Sequence, residues 1–222
     1  MDSRILRRFL LLVLAGVFST APALANWVAS GTFKYQDREF DETGFTGNQP
    51  GLPIRLAKVE VRDANKNGGQ AVLATTSTDL NGNFSVSVTD SSTRTINFRV
   101  ITSSSPVPGL FLSVTNVNGQ LSNYAVTSPS FASHNPTVNL NMGTVTAVAG
   151  SGGEQFNIYD VSLNSLLYLK DLEGSYPGSA DDLSLQWEIF SGFSATAFMG
   201  NGLIRVGDPS GYNDTVIQHE TG

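Results

Sequence analysis

Two stretches decide the fold of this chain: Ala57-Lys58-Val59-Glu60-Val61-Arg62, and Thr76-Ser77-Thr78-Asp79-Leu80-Asn81-Gly82-Asn83-Phe84-Ser85-Val86-Ser87-Val88. In the first, Val59 and Val61 alternate with Lys58, Glu60 and Arg62, the period-two pattern of a strand with an apolar face and a charged face. The second carries Asp79-Leu80-Asn81-Gly82-Asn83 ahead of another alternating run, Phe84 to Val88. Asn-Gly supplies the positive φ that a tight turn between strands requires. The pair predicts antiparallel β structure.

The same period extends outward. Trp27 to Tyr35, Ala71 to Thr75 and Ile96 to Val100 alternate, and Asn65-Lys66-Asn67-Gly68-Gly69 is a second turn. Leu110–Val114, Leu121–Val126 and Thr137–Leu140 are weaker strand candidates, and no helical stripe precedes residue 154. Residues 26–149 therefore read as a small antiparallel β-sandwich. The alternating Ala57-x-Val59-x-Val61 strand followed by Thr76-x-Thr78-Asp79-x-Asn81-Gly82-x-Phe84 resembles the transthyretin-like carboxypeptidase-regulatory and Cna-B-type sandwiches. Over about 100 residues that resemblance implies a fold and an accessory role, and no chemistry.

The chain's 222 residues begin with a different pattern. Arg4, Arg7 and Arg8 lead an apolar run from Phe9 to Phe18, which is followed by Ala23-Leu24-Ala25. That is the layout of a secretory signal peptide, with cleavage expected after Ala25, and its apolar run is too short to span a bilayer. The expected location is secreted, periplasmic or cell envelope, with no membrane span once the signal is removed. There are no cysteines, so no disulfide is available in an exported chain, a usage that fits a bacterial envelope or medium.

Charge divides the remainder. Residues 26–149 hold eight basic and eight acidic residues, whereas 150–222 hold two basic and ten acidic. A phosphate-binding surface needs clustered Lys and Arg, and none occurs after residue 8, so nucleic acid is not an expected partner. The changeover falls at Ala149-Gly150-Ser151-Gly152-Gly153, and 150–153 reads as a linker between two domains. Beyond it, Phe156, Tyr159, Leu163, Leu166 and Leu167 form one helical stripe within Phe156–Lys170. Leu183–Ile189 reads as a strand, and Phe198-Met199 pairs with Leu203–Val206 across Gly200-Asn201-Gly202.

The chemical clue comes last, in Asn213-Asp214-Thr215-Val216-Ile217-Gln218-His219-Glu220-Thr221-Gly222. Asn213 or Asp214 can cap a helix that buries Val216 and Ile217 in its first turn. His219-Glu220-x-Gly222 matches four positions of His-Glu-x-x-His. In that motif two imidazoles four residues apart share a helix face and bind one zinc ion, and the Glu serves as base. Together with the helix from Phe156 and the strand containing Trp187, the region resembles exported bacterial zinc metallopeptidases that carry His-Glu-x-Gly-His. The resemblance covers the last ~70 residues. It implies an incomplete α+β zincin-like domain over 154–222, His219 as a metal ligand, Glu220 as the catalytic base, zinc as cofactor in the complete protein, and a polypeptide substrate. The fifth motif position falls one residue past Gly222, so the chain reads as a fragment, inactive as it stands. The alternative is a non-enzymatic secreted or envelope binding or adhesion protein built on the sandwich.

Other chemistry is excluded or unsupported. Thiol catalysis needs cysteine, and no Gly-x-Ser-x-Gly occurs. The Asp79–Asn83 turn lacks the acidic ligand a calcium loop needs, since Val88 stands six residues past Gly82. Asp37 to Glu42 reads as a solvated acidic loop, Asp181-Asp182 as a solvated turn, and His134 as solvent-facing in a Ser/Asn/Pro loop. Mass spectrometry of exported protein is expected to find a chain beginning at Asn26; an intact Met1 would refute the cleavage.

Overall fold

A computed structural model describes residues 26–69, 71–107, 110–117, 122–174, 182–188, 192 and 195–221. The expected signal peptide, Asp181 and Gly222 lie outside the described residues. The described residues are mainly β, with several sheets and, among them, two α-helices.

The first sheet is built on β1 (Asn26–Gln36), whose eleven residues are long enough to serve two partners along one edge. β7 (Asn83–Thr89) pairs antiparallel with its first half, and β4 (Gly51–Pro53) with its end. Its other edge takes β13 (Leu140–Ala147), and this pairing is parallel. The expectation of a purely antiparallel sandwich is corrected there. The eight-residue β13 also begins where the strand expected over Thr137–Leu140 ends. The second sheet centres on β5 (Lys58–Asp63), between β6 (Ala71–Ser77) and β8 (Arg94–Ile101), with β11 (Ala125–Thr127) and β12 (Phe131–His134) on the far edge of β8. Because β5 is central, Glu60 and Arg62 on its charged face are covered as well as its apolar residues, while Lys58 at its start stays partly exposed. Glu60, Arg62 and Asp63 are all buried, and Glu60 accepts from Lys58 at 3.1 Å.

Phe33 and Phe84 of the first sheet stack at 5.7 Å, Phe84 meets Phe98 of the second at 5.6 Å, and Phe98 meets Phe131 at 5.8 Å. Four rings thus bridge the two sheets, each pair worth about 0.5–1.5 kcal/mol beyond the area it buries. His134 closes this region. Its ring centroid lies 4.3 Å from that of the buried Trp27, and burial lowers its pKa. The expectation of a solvent-facing loop histidine is corrected: β12 pairs with β8 and brings His134 opposite Arg94.

The third sheet runs β9 (Ser103–Val107), β10 (Leu110–Thr115), β14 (Leu183–Gln186), β16 (Leu203–Arg205) and β15 (Ala197–Gly200). β10, β14 and β16 are parallel, while β9 and β15 run antiparallel at the two edges. A small hairpin, β2 (Phe40–Asp41) with β3 (Gly44–Phe45), stands apart. Helix α1 (Gly153–Glu173) is longer than the stripe suggested by about one turn at the start and three residues at the end, and it stops at Gly174, whose φ of 73° is the left-handed helix-ending conformation. Every residue from Phe156 to Leu163 is buried, so this half of the helix is enclosed on all sides rather than along one stripe. Helix α2 (Asp214–Thr221) ends the described chain.

Structure crosses the expected linker at 150–153. β9 and β10 come from before it and share a sheet with β14 to β16, and one buried cluster contains Phe33, Leu112, Tyr159 and Ile217 together. Nor does the glycine run hang free. Ser151 N and Gly153 N both donate to Val148 O at 3.0 Å, and Gly150 N donates to Glu154 Oε1 at 2.9 Å.

The turn that anchored the sequence reading is built as a turn. Asp79 Oδ1 accepts from Asn81 N and Asn83 N, each at 2.8 Å, which commits the carboxylate to backbone donors. Gly82 has φ 77°, and its carbonyl accepts from Phe33 N at 2.9 Å. A Cβ at Gly82 would sit 2.4 Å from Phe33 O. Gly82→Ala is therefore expected to cost about 1–3 kcal/mol of unfolding free energy. Urea melts should show an earlier midpoint, and an unchanged midpoint would contradict the close approach.

Candidate active site

Helix α2 is held at both ends by α1. At its start, Asn213 Oδ1 accepts from Val216 N at 3.2 Å, the N-cap bond expected from the sequence. Asn157 of α1 donates from Nδ2 to Gly211 O at 3.1 Å and to Asp214 Oδ1 at 3.0 Å. At its end, the hydroxyls of Ser165 and Thr221 lie 2.9 Å apart. Between the clamps Ile217 is fully buried. Eight residues are too few for a helix to be stable alone, so these contacts set its position.

That position governs the two residues singled out by the motif. His219 is exposed on the last turn, and Glu220 is half-buried. Glu220 Oε2 accepts a hydrogen bond from the backbone N–H of Phe198, at 2.9 Å. The structure therefore brings Glu220 against the edge strand β15 while leaving His219 open. Zinc held by protein needs three ligands. Among the described residues no group of three His, Cys, Asp or Glu side chains is arranged to hold a metal ion. The described residues by themselves do not fit a zinc centre, and no catalytic step is derived through one. His134, the other histidine, packs on Trp27 at the end of β12.

A second polar region lies at the other end of α2. A cleft of about 310 Å3 is lined by Asp37, Arg38, Asp41, Tyr212, Asn213 and Asp214, among others. Arg38 lies over the Phe45 ring at 3.9 Å and faces Tyr212 at 5.8 Å, so the β2–β3 hairpin leans on the residue before the α2 cap. Asp37 to Glu42 was expected to be a solvated loop, yet Asp37 and Arg38 are half-buried. Burial raises the Asp37 carboxyl above its ordinary value, and the charge of Asp214 adds to the shift. Asp214, though open to solvent on one side, is raised by the surrounding protein against the Asn157 hydrogen bond.

Beneath this cleft sits a tie that sequence reasoning missed. Asp160 of α1 is buried; its Oδ1 accepts from Arg55 Nε at 2.7 Å, and its Oδ2 accepts from Tyr35 OH at 3.1 Å. Arg55 also donates to Asn164 Oδ1 at 2.7 Å, and Tyr159 OH donates to Arg55 O at 3.1 Å. Burial raises the Asp160 carboxyl despite Arg55, and burial together with Asp160 pushes the Tyr35 phenol far above its ordinary value. The signal was present in the sequence, since a carboxylate beside Tyr159 in an apolar helical stretch must find a partner if buried. Which partner, some 100 residues earlier, was not.

No family model matches the chain, and no curated protein matches it. Among solved structures, similarity is found to a 9R-lipoxygenase from Cyanothece PCC8801 at TM-score 0.34 and 17% identity, over 71% of this chain and 26% of that one. An (S)-allantoin synthase aligns at TM-score 0.30 and 11% identity, covering 57% of this chain and 43% of the synthase. A candidate carbohydrate-binding protein from Pseudomonas aeruginosa aligns at TM-score 0.28 and 11% identity, covering 60% and 94%. The chain thus spans about a quarter of the lipoxygenase and under half of the synthase. Likeness at these levels assigns neither family nor activity.

The raised carboxyls have a consequence for stability. Asp37, Asp160 and Asp214 hold their protons more tightly in the folded protein than in the unfolded chain, where a carboxyl titrates near about 3.9. Their contribution is complete below about pH 4 and is lost as pH rises through the raised values. Asp90, held below the usual range by Arg94, acts in the opposite sense and loses its contribution as pH falls below about 4. Urea midpoints are therefore expected to decline from mildly acidic toward neutral pH, and Asp37→Asn should flatten part of that decline. A variant whose midpoints fall with pH as steeply as those of the parent would contradict this account.

Proposed function

We propose that this chain is the N-terminal part of an exported zinc-dependent peptidase, in which the N-terminal β sheets serve as a carboxypeptidase-regulatory-like accessory module. His219 is assigned as a metal ligand and Glu220 as the general base, with the remaining ligands supplied by sequence outside the described residues. The observation that carries the reading is the placement of α2: it sets Glu220 directly against β15, the antiparallel edge of a mixed sheet, with His219 exposed beside it. An edge strand offers unpaired backbone groups to which an extended peptide can add as a further strand. A peptide held there lies beside a carboxylate able to take a proton from an attacking water. Helix and edge strand together supply a binding surface and a base at one place, as peptide hydrolysis requires.

The alternative, a non-enzymatic envelope or adhesion protein, makes the opposite prediction for metal. Protein expressed from the full reading frame is expected to bind one zinc per chain and to cleave casein. In that protein Glu220→Gln should keep zinc and lose turnover by roughly a hundredfold or more, because it removes the base and not a ligand. His219→Ala should lower zinc affinity as well. Absence of zinc from the full-length protein, or full activity in Glu220→Gln, would overturn the reading in favour of the binding protein.

A further inference from the structure

The contact between Glu220 and β15 constrains how the edge strand can be used. Phe198 lies opposite Ile204 in the β15–β16 pair. Its N–H goes to Glu220 Oε2. In an antiparallel ladder, a residue whose N–H is not given to the partner strand belongs to a non-hydrogen-bonded pair, and its N–H and C=O both point to the other side. The other side of β15 is the open edge of the sheet, since no further strand flanks it among the described residues. Phe198 and Met199, which face opposite sides of the strand, are 55% and 51% exposed. The edge is open on both faces at this point, and its outward donor is occupied by a side chain.

A strand arriving at β15 needs that same donor, because strand addition is made of backbone hydrogen bonds. A carboxylate is a stronger acceptor than a peptide carbonyl, so the two compete for Phe198 N–H. We infer that Glu220 is a gate on the edge strand: it caps β15 in the free protein, and an extended polypeptide adding to β15 displaces it. This deepens the peptidase reading and rests on it, adding that the base is withheld until a peptide is in place. The occupant is a polypeptide with basic side chains, because residues 150–222 carry ten acidic residues against two basic ones and attract positive charge. Capping also protects the free protein, since a bare edge strand with exposed Phe198 and Met199 invites pairing between copies of the chain.

The test measures peptide affinity rather than turnover, on the protein expressed from its full reading frame. Two capped heptapeptides serve as probes, one alternating valine with lysine and one alternating valine with serine. The lysine peptide is expected to bind the parent protein more tightly than the serine peptide; equal affinities would overturn the basic preference. The serine peptide has no charge for Glu220 to attract, so its affinity isolates the gate. Glu220→Ala should bind it roughly 5–10-fold more tightly than the parent, the size expected when a competing charged hydrogen bond is removed. Amide exchange at Phe198 supplies a readout independent of binding strength: slow in the parent, faster in Glu220→Ala, and slow again in both once peptide is bound. An unchanged or weaker affinity for the serine peptide in Glu220→Ala overturns the gate while leaving peptide docking intact. Failure of both peptides to bind either form overturns the gate and the peptidase reading together.

Discussion

The buried pairing of Asp160 with Arg55 and Tyr35 is the interaction on which the rest of the structure depends. It joins the middle of α1 to β1 and to the segment that follows β4, so one carboxylate links the helix to the first sheet. Removing one partner from a buried ion pair costs about 3–5 kcal/mol, a large fraction of what holds a domain of this size together. The side chain of Arg55 keeps 18% exposure, which places the tie toward the lower end of that range. Its benefit is in specificity of arrangement. An apolar helix face can slide over a sheet at little cost, whereas a carboxylate accepting one bond from a guanidinium and another from a phenol holds one register.

Everything around the candidate site is positioned through α1. β10 packs beneath it, and its parallel neighbours β14 and β16 lead to the β15 edge. Asn157 and Ser165, eight residues apart on the same helix, fasten the start and end of α2. Glu220 can reach Phe198 only because α2 is fixed relative to a sheet whose strands come from both sides of residue 150. The short helix has little stability of its own, so the position of the His219-Glu220 pair is borrowed from packing elsewhere.

Much of the local structure could be read directly. Alternation located β1, β5, β6, β7 and β8, because a strand half-covered on a sheet shows a period of two wherever its burial is one-sided. The reading failed where that condition fails. β9 is rich in serine and contains a proline, β12 ends in a histidine that packs against Trp27, and β13 alternates weakly. Glu60 and Arg62 of β5 looked solvent-facing but are covered, because neighbours on both sides make it a central strand, and centrality is not encoded within six residues. The glycine run at 149–153 has a linker's composition, yet its N–H groups are bonded and the sheet on either side of it is continuous.

By itself the sequence determined a β-rich chain, the Asp79–Asn83 turn with its obligatory Gly82, the span of α1 to within about a turn, and a helix capped at Asn213 or Asp214 that carries His219 and Glu220. These are short-range matters, settled by periodicity, side-chain caps and a residue that tolerates positive φ. Tertiary structure alone decided that β13 runs parallel to β1, that one sheet spans the expected boundary, that Asp160 meets Arg55, and that Glu220 meets the backbone of Phe198. Each of these joins residues 22 to 112 positions apart, and each depends on which surfaces close against one another when the core forms. Local pattern states what a segment can become, and long-range packing selects its partner.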